Sequence, residues 1–309
     1  MQLLELTAEQ MNLAKEAVSA RFMNNSVAYQ AIPIEYVTKD TTQVRWNRYD
    51  YDRQMVVDNE TLTLCEPYST IPFTRSQRDE PSLSRGMTTV HRKTSELARF
   101  FDALAFVGLD EAVKRNIADV EIPRIEKDKF ISLREAAIQV EKEQKREAIP
   151  IDPPNSQESL VSAAFEAVFR LEGYGYYSNY FSIWGEKIWA LLNKPEQHDS
   201  VRPKEILEDT IPDFYRSTTL PPDEALIASL DGQTLKYVIA AGMAESENTE
   251  DTMNQANEDI VSFEPRIVEP DDRNEELYKF RVRFRAVPCV QETRSVIRIK
   301  LAQINPPAG

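Results

Sequence analysis

Between Met87 and Gly108, the residues Met87, Val90, Thr94, Leu97, Phe101, Leu104 and Gly108 fall at alternating steps of three and four. That spacing lays them along one stripe of an α-helix, and Phe100, Ala103 and Val107 widen it. At 1.5 Å per residue the helix would be about 33 Å long. A coiled coil needs three or four sustained heptads, and the pattern dissolves after Gly108. The stretch, entered at Ser84, therefore reads as a long helix crossing a sheet.

Around it, 309 residues with 41% hydrophobic side chains are enough for one large domain or two modest ones. Lys and Arg total 37 against 51 for Asp and Glu, a formal net charge of -14. An acidic chain is a poor free nucleic-acid binder, whose signature is a basic domain. Two cysteines, Cys65 and Cys289, cannot make a disulfide framework, so a reducing compartment is expected. No apolar run approaches the ~18–20 residues of a membrane span, and the first residues lack a signal-peptide pattern. The chain has two histidines, His91 and His198, and eight glycines. It contains no phosphate-binding glycine loop, nucleophile elbow, H-E-x-x-H or C-x-x-C. Together these absences move the expectation away from enzymes, and no catalytic residue, cofactor or metal is assigned.

Before the long helix, Thr7 and Gln10 have capping-box spacing for a helix to about Phe22, with Ala8, Met11, Ala14 and Val18 along its stripe. Met23-Asn24-Asn25-Ser26 breaks it, and the chain is expected to run extended through Ile32-Pro33-Ile34. Next comes a long hairpin: Thr41–Tyr49, a turn at Asp58-Asn59, and Thr61–Cys65, resuming through Ile71-Pro72-Phe73. Two strands alone are marginal in water. Trp46, Leu62 and Leu64 have too little local chain to cover them, so they are expected to lie on an adjacent subunit.

After the long helix, Ala118–Asn155 reads as an insertion. It holds a strand-like Val120–Ile125, a helix boxed by Ser132 and Glu135, a charged stretch Glu141–Glu147 read as a solvated face, and a stop at Ile149–Pro154. Then follows an α/β section. A helix from Ser156 buries Leu160, Ala164, Ala167, Val168 and Leu171, and Gly173 stops it. A strand is read at Tyr176–Ile183, helices at Trp184–Leu192 and Pro203–Glu208, and strands at Ala225–Leu230 and Thr234–Ala241. Asp231-Gly232 reads as their hairpin turn.

The last third separates its charge. Ala240–Glu276 holds twelve acidic and two basic side chains, whereas Leu277–Lys300 holds seven basic and one acidic. Phe280, Val282 and Phe284 alternate with Arg281, Arg283 and Arg285, a strand with a buried aromatic face and an arginine face. Those arginines are read either as a solvated face or as a face meeting an acidic neighbour or enclosed nucleic acid. The acidic block is the nearest supply of carboxylates.

Two stretches carry a family resemblance. One runs from Ile71-Pro72-Phe73-Thr74-Arg75 through Ser84-Arg85-Gly86 to Phe106-Val107-Gly108. The other runs from Tyr215-Arg216-Ser217 to Leu220, then Glu224-Ala225-Leu226-Ile227 and Tyr237-Val238-Ile239. With the order arm, hairpin, long helix, α/β section and late strands, the chain resembles the Hong Kong 97-type shell proteins. These are the major capsid proteins of tailed phages and the encapsulin nanocompartments. The resemblance implies an α+β fold: an arm (1–40), an extended loop (41–73), a peripheral domain with spine helix and insertion (74–155), an axial domain (156–244), and an acidic segment with returning peripheral strands (245–309). No Gly-Pro or Gly-Trp segment follows the first helix, and the insertions lengthen the chain beyond a typical encapsulin, so the resemblance favours the phage capsid. It implies pentamers and hexamers of the chain itself, packaged double-stranded DNA bound without sequence specificity, and portal, scaffolding and decoration partners. It also implies assembly in the host cytoplasm into a virion, no membrane, and no fused scaffolding domain. Trp46, Leu62, Leu64, Arg281, Arg283 and Arg285 are the expected inter-subunit contacts.

Overall fold

The first helix starts where its capping residues place it. Thr7 Oγ1 accepts from the Gln10 backbone N–H at 3.2 Å, and the Gln10 side chain accepts from the Thr7 N–H at 2.9 Å. The computed structural model describes residues 6–51, 53–116, 119–122, 130–152, 156–195, 201–241, 261–270 and 276–302. Helix α1 (Ala8–Asn25) runs past the expected end at Phe22. Ser26 then caps a second helix, α2 (Val27–Ala31), its hydroxyl accepting from the Tyr29 N–H. The polar break is thus a joint between two helices, and extended chain begins only at β1 (Ile34–Thr38).

The remaining elements are β2 (Gln43–Asp50), β3 (Met55–Thr63), β4 (Tyr68–Thr74), α3 (Arg75–Arg78), α4 (Ser84–Phe106), α5 (Leu109–Lys114), α6 (Leu133–Gln144), β5 (Ile149–Ile151), α7 (Ser156–Gly173), β6 (Tyr180–Trp184), α8 (Glu186–Leu192), α9 (Pro203–Leu207), β7 (Asp213–Arg216), β8 (Glu224–Ser229), β9 (Leu235–Ala241), β10 (Ser262–Pro270), β11 (Glu276–Arg283), β12 (Ala286–Val290) and β13 (Val296–Leu301).

Helix α4 is the long helix of the sequence. Its first half buries only the stripe, including Val90, Thr94 and Leu97, but from Phe100 to Phe106 every residue is buried. That change from one face to the whole circumference marks where α4 enters the centre of the molecule. Phe101 is the hub. Phe22 of α1 meets its ring edge-on at 5.2 Å, Tyr237 of β9 stacks at 3.9 Å, and Phe284 approaches at 5.1 Å. The Tyr237 hydroxyl also donates to the Phe101 carbonyl at 3.2 Å, which satisfies a buried polar group. Near the start of α4, the Phe73 ring crosses so closely that a Cβ on Gly86 would lie 2.8 Å from it.

Three sheets and a hairpin surround this helix: β1-β9-β12, β10-β11-β4, β5-β13-β8-β6-β7, and β2 paired with β3. The expected hairpin at Asp231-Gly232 does not form. Strand β8 lies between β13 and β6, β9 lies between β1 and β12, and a short 3-10 turn (Asp231–Gln233) carries the chain from one sheet to the other. Both strands are buried almost throughout. Each therefore takes two strand neighbours and cover on both faces, which pairing with one another would not supply. Ile149-Pro150-Ile151, expected only to stop a helix, is the parallel edge strand β5, where Pro150 is tolerated because the outer side needs no donor. In the β2–β3 hairpin Asp50 pairs with Met55 and Gln54 has φ 51°, so the expected turn residues Asp58 and Asn59 lie within β3. Strand β6 begins only at Tyr180. Of the expected Val120–Ile125 strand, Glu121 bridges Tyr68, and residues 123–125 lie outside the described residues.

A second core lies between α7 and the five-stranded sheet, where Leu160, Ala164, Ala167, Val168 and Leu171 pack on Ile149, Ile227, Ile297 and Ile299.

Candidate functional site

Strand β9 has two buried faces. Leu235, Tyr237 and Ile239 point to the α4 core, and Val238 and Ala240 point the other way. On that second face, joined by Val287 and Cys289 of β12, sit Trp46, Leu62 and Leu64, which are 4%, 1% and 5% exposed. The expectation that only an adjacent subunit could cover these three residues is corrected: their own chain covers them. The hairpin tip is different. Met55 and Val56 are about half exposed, next to the exposed Arg53.

The alternation through β11 and the two residues after it is as read, with Phe280, Val282 and Phe284 buried. Its arginines, however, are engaged within the chain. Arg281 lies 3.8 Å over the Tyr68 ring. Arg283 bonds Glu66 and, at 2.7 Å, Glu264, and Arg285 bonds Glu66 at 2.7 Å and the Lys39 carbonyl at 3.0 Å. Glu264 belongs to the acidic block; Glu66 does not, and sequence reasoning missed it. It is brought there because β4 pairs antiparallel with β11, Tyr68 opposite Arg283. The available signal was that Glu66 is the one carboxylate between Glu60 and Asp79.

A second charged network joins α6 to the five-stranded sheet. Arg134 donates two bonds to Glu224, at 2.6 and 3.0 Å, and Arg298 bonds Glu224 at 2.9 Å and Glu141 at 2.7 Å. Glu224 is only 2% exposed. Burial pushes its carboxyl upward, but the Arg134 hydrogen bonds, with charge from Arg298 and Lys300, hold it below the usual carboxylate range. Glu141 is therefore not part of a solvated face, whereas Lys142, Lys145, Arg146 and Glu147 are exposed.

Asp102 is a third buried charge site. It accepts from Ser26 Oγ at 2.7 Å and from the Ala28 and Val27 N–H groups at 2.8 and 3.1 Å, clamping the start of α2 onto α4. Burial pushes its carboxyl up to about 7 against these hydrogen bonds.

Among the described residues the histidines and cysteines are not brought together. His91 lies on α4 and His198 lies outside the described residues. Cys65 and Cys289 are free and buried, and burial raises each thiol to about 12. Among the described residues no group of three or more His, Cys, Asp or Glu could hold a metal, and no helix is long and apolar enough to cross a membrane.

No family model matches the chain, and no curated protein matches it in sequence. Solved structures do match its fold. A virus-like particle from Pyrococcus furiosus superposes with a TM-score of 0.62 at 10% identity, over 95% of this chain and 100% of that one. The capsid of Myoviridae phage XM1 gives 0.52 at 10% identity, over 90% and 92%. The holo-SrpI encapsulin complex from Synechococcus elongatus gives 0.51 at 8% identity, over 97% and 90%. The architecture is α+β. It is the Hong Kong 97-type fold, as the order of elements in the sequence implied.

Proposed function

We propose that this chain is the major capsid protein of a tailed phage or a close relative, self-assembling into an icosahedral head around double-stranded DNA. The observation that carries the reading is the likeness to subunits of closed particles, end to end over at least 90% of both chains. In this reading α4 is the spine of the peripheral domain, with the β10-β11-β4 sheet returning beside it. Residues 156–244, completed by β5 and β13, form the axial unit, and residues 41–73 form the extended loop, anchored by Trp46, Leu62 and Leu64 and reaching a neighbour with its Met55–Val56 tip. Residues 1–40 are the arm. Partners are further copies in pentamers and hexamers, with portal, scaffolding and decoration proteins, in a head assembled in the host cytoplasm. The overall charge of -14 suits a container wall along which DNA slides.

The test is purification followed by size-exclusion chromatography and negative-stain microscopy. Closed particles of discrete diameter are expected; a monodisperse monomer or dimer at high concentration would overturn the reading. The encapsulin likeness favours a second reading, a nanocompartment around a cargo enzyme. Particle contents separate the two: nuclease-protected DNA for a capsid, a co-purifying protein for a nanocompartment.

A further inference from the structure

The five-stranded sheet ends in β5 on one side and β7 on the other. Beside β5, the last turn of α6 and the end of β13 enclose a groove of about 680 Å³. Its floor includes Ile138, Pro150 and Leu301, and its rim carries four cations, Lys142, Lys145, Arg146 and Lys300, against one exposed carboxylate, Glu147. None of these four cations has a carboxylate in ion-pair contact among the described residues, whereas Arg134 and Arg298 nearby are fully paired. A helix C-terminus favours cations in its last turn, which accounts for Lys142 and its neighbours. It does not account for Lys300, which enters the same groove from β13.

The other edge is its complement. Helix α9 lies beside β7, with the Lys204 ammonium 5.5 Å from the Phe214 ring centre. There Ile206 is 47% exposed, and Glu205, Glu208, Asp209 and Asp213 around it are exposed as well. Glu205 and Glu208 have only long pairs, at 3.9 and 3.5 Å, and Asp209 and Asp213 have none among the described residues. One edge is an apolar floor with a basic rim; the other is an apolar knob flanked by acids.

We infer that these two edges meet between adjacent copies of the chain, Ile206 of one copy seating on the β5 groove of the next while Asp209 and Asp213 face its lysines and Arg146. This rests on the shell reading above. A contact between two different patches of one chain is heterologous, and a rotation that closes makes a ring of it, which pentamers and hexamers require. Complementary charge fixes the direction of the ring and discourages like edges from meeting. A phosphodiester backbone would use the basic rim but leave the apolar floor idle. The acid-flanked knob uses both, and every copy supplies one.

The experiment uses the full-length chain in three forms: Lys142→Glu with Arg146→Glu, Asp209→Arg with Asp213→Arg, and all four together. All four positions are exposed, and circular dichroism and urea unfolding check that each subunit remains folded. Each reversed pair is expected to cut the fraction in rings and shells at least about tenfold, and the four together to restore most of it. The inference is overturned if either reversed pair assembles like wild type, or if the fourfold variant does not recover. Normal shells that lose only their DNA would also overturn it and assign the groove to phosphate. Wild-type rings that never close into shells would sink the shell reading and leave this interface standing; a wild type that never associates would sink both.

Discussion

Replacing Asp102 by asparagine removes a charge that the fold holds without an opposing cation in contact. Burial raises the carboxyl from 3.8 to about 7, against the hydrogen bonds from Ala28, Ser26 and Val27 and the weaker pull of the Arg99 charge. A folded-state value above the unfolded one means that, between about pH 4 and 7, the native state binds a proton the unfolded chain does not. Stability from this group is therefore gained as pH falls through about 7, and the gain saturates near the unfolded value. The slope is one proton, about 1.4 kcal/mol per pH unit, so wild type gains about 2–3 kcal/mol between pH 7.5 and 5. The Asp102→Asn variant carries no such slope. Its amide also turns a donor towards a backbone N–H, either that of Val27 or that of Ala28, at a constant cost of about 1–3 kcal/mol. Urea unfolding of dissociated subunits at several pH values gives the wild-type-minus-variant difference, in which the other carboxylates cancel. The difference should grow in favour of wild type on acidification. A difference independent of pH from 5 to 8 would refute the reasoning, because it would mean that the three hydrogen bonds keep Asp102 ionised despite its burial.

Trp46→Ala should lower the stability of the isolated subunit by about 3–5 kcal/mol through the cavity it leaves on β9 and β12; an unaffected subunit that fails only in assembly would place that weight on a neighbour instead. In Gly185→Ala the new methyl would lie 2.1 Å from the Pro221 carbonyl oxygen, so backbone must move, and thermal unfolding should show a loss of about 1–3 kcal/mol. Glu224→Gln leaves Arg134 without its charge partner while Arg298 keeps only Glu141, a cost of about 3–5 kcal/mol visible in urea unfolding at neutral pH. Because the Glu224 carboxyl is held below the usual range, that cost should fade only in acid, as pH falls through its folded-state value, opposite in sign to the Asp102 effect.

What the sequence made legible was local. Thr7 with Gln10 and Ser132 with Glu135 form the reciprocal caps their spacing announced. The stripe from Met87 is α4, and the alternation around Phe280 is a strand with a buried aromatic face. Helix α2 escaped because five residues hold too little periodicity to register. The β8–β9 hairpin failed for a different reason. Asp231-Gly232 suits any tight reversal, while the true partners, β1 and β12 for one strand and β6 and β13 for the other, lie far along the chain. The same distance hid Glu66, 217 residues from Arg283, and hid the cover over Trp46. That cover was nevertheless written into Tyr237–Ala241, a continuous apolar run of the kind strands show when both faces are buried. The α9–β7 edge and the groove beside β5 were invisible, since each is assembled from segments that meet only in the folded sheet.

The strand order also sets a timetable for folding. Each of the three sheets takes a strand from the stretch that begins at Glu276: β11 at the centre of one, β12 at the edge of another, and β13 between β5 and β8 in the third. Without the stretch from Glu276 onward the chain can build α1, α4 and α7 but cannot complete any of these three sheets, and such distant pairings are intrinsically slow to form. The helices can therefore be in place well before any of the three sheets closes.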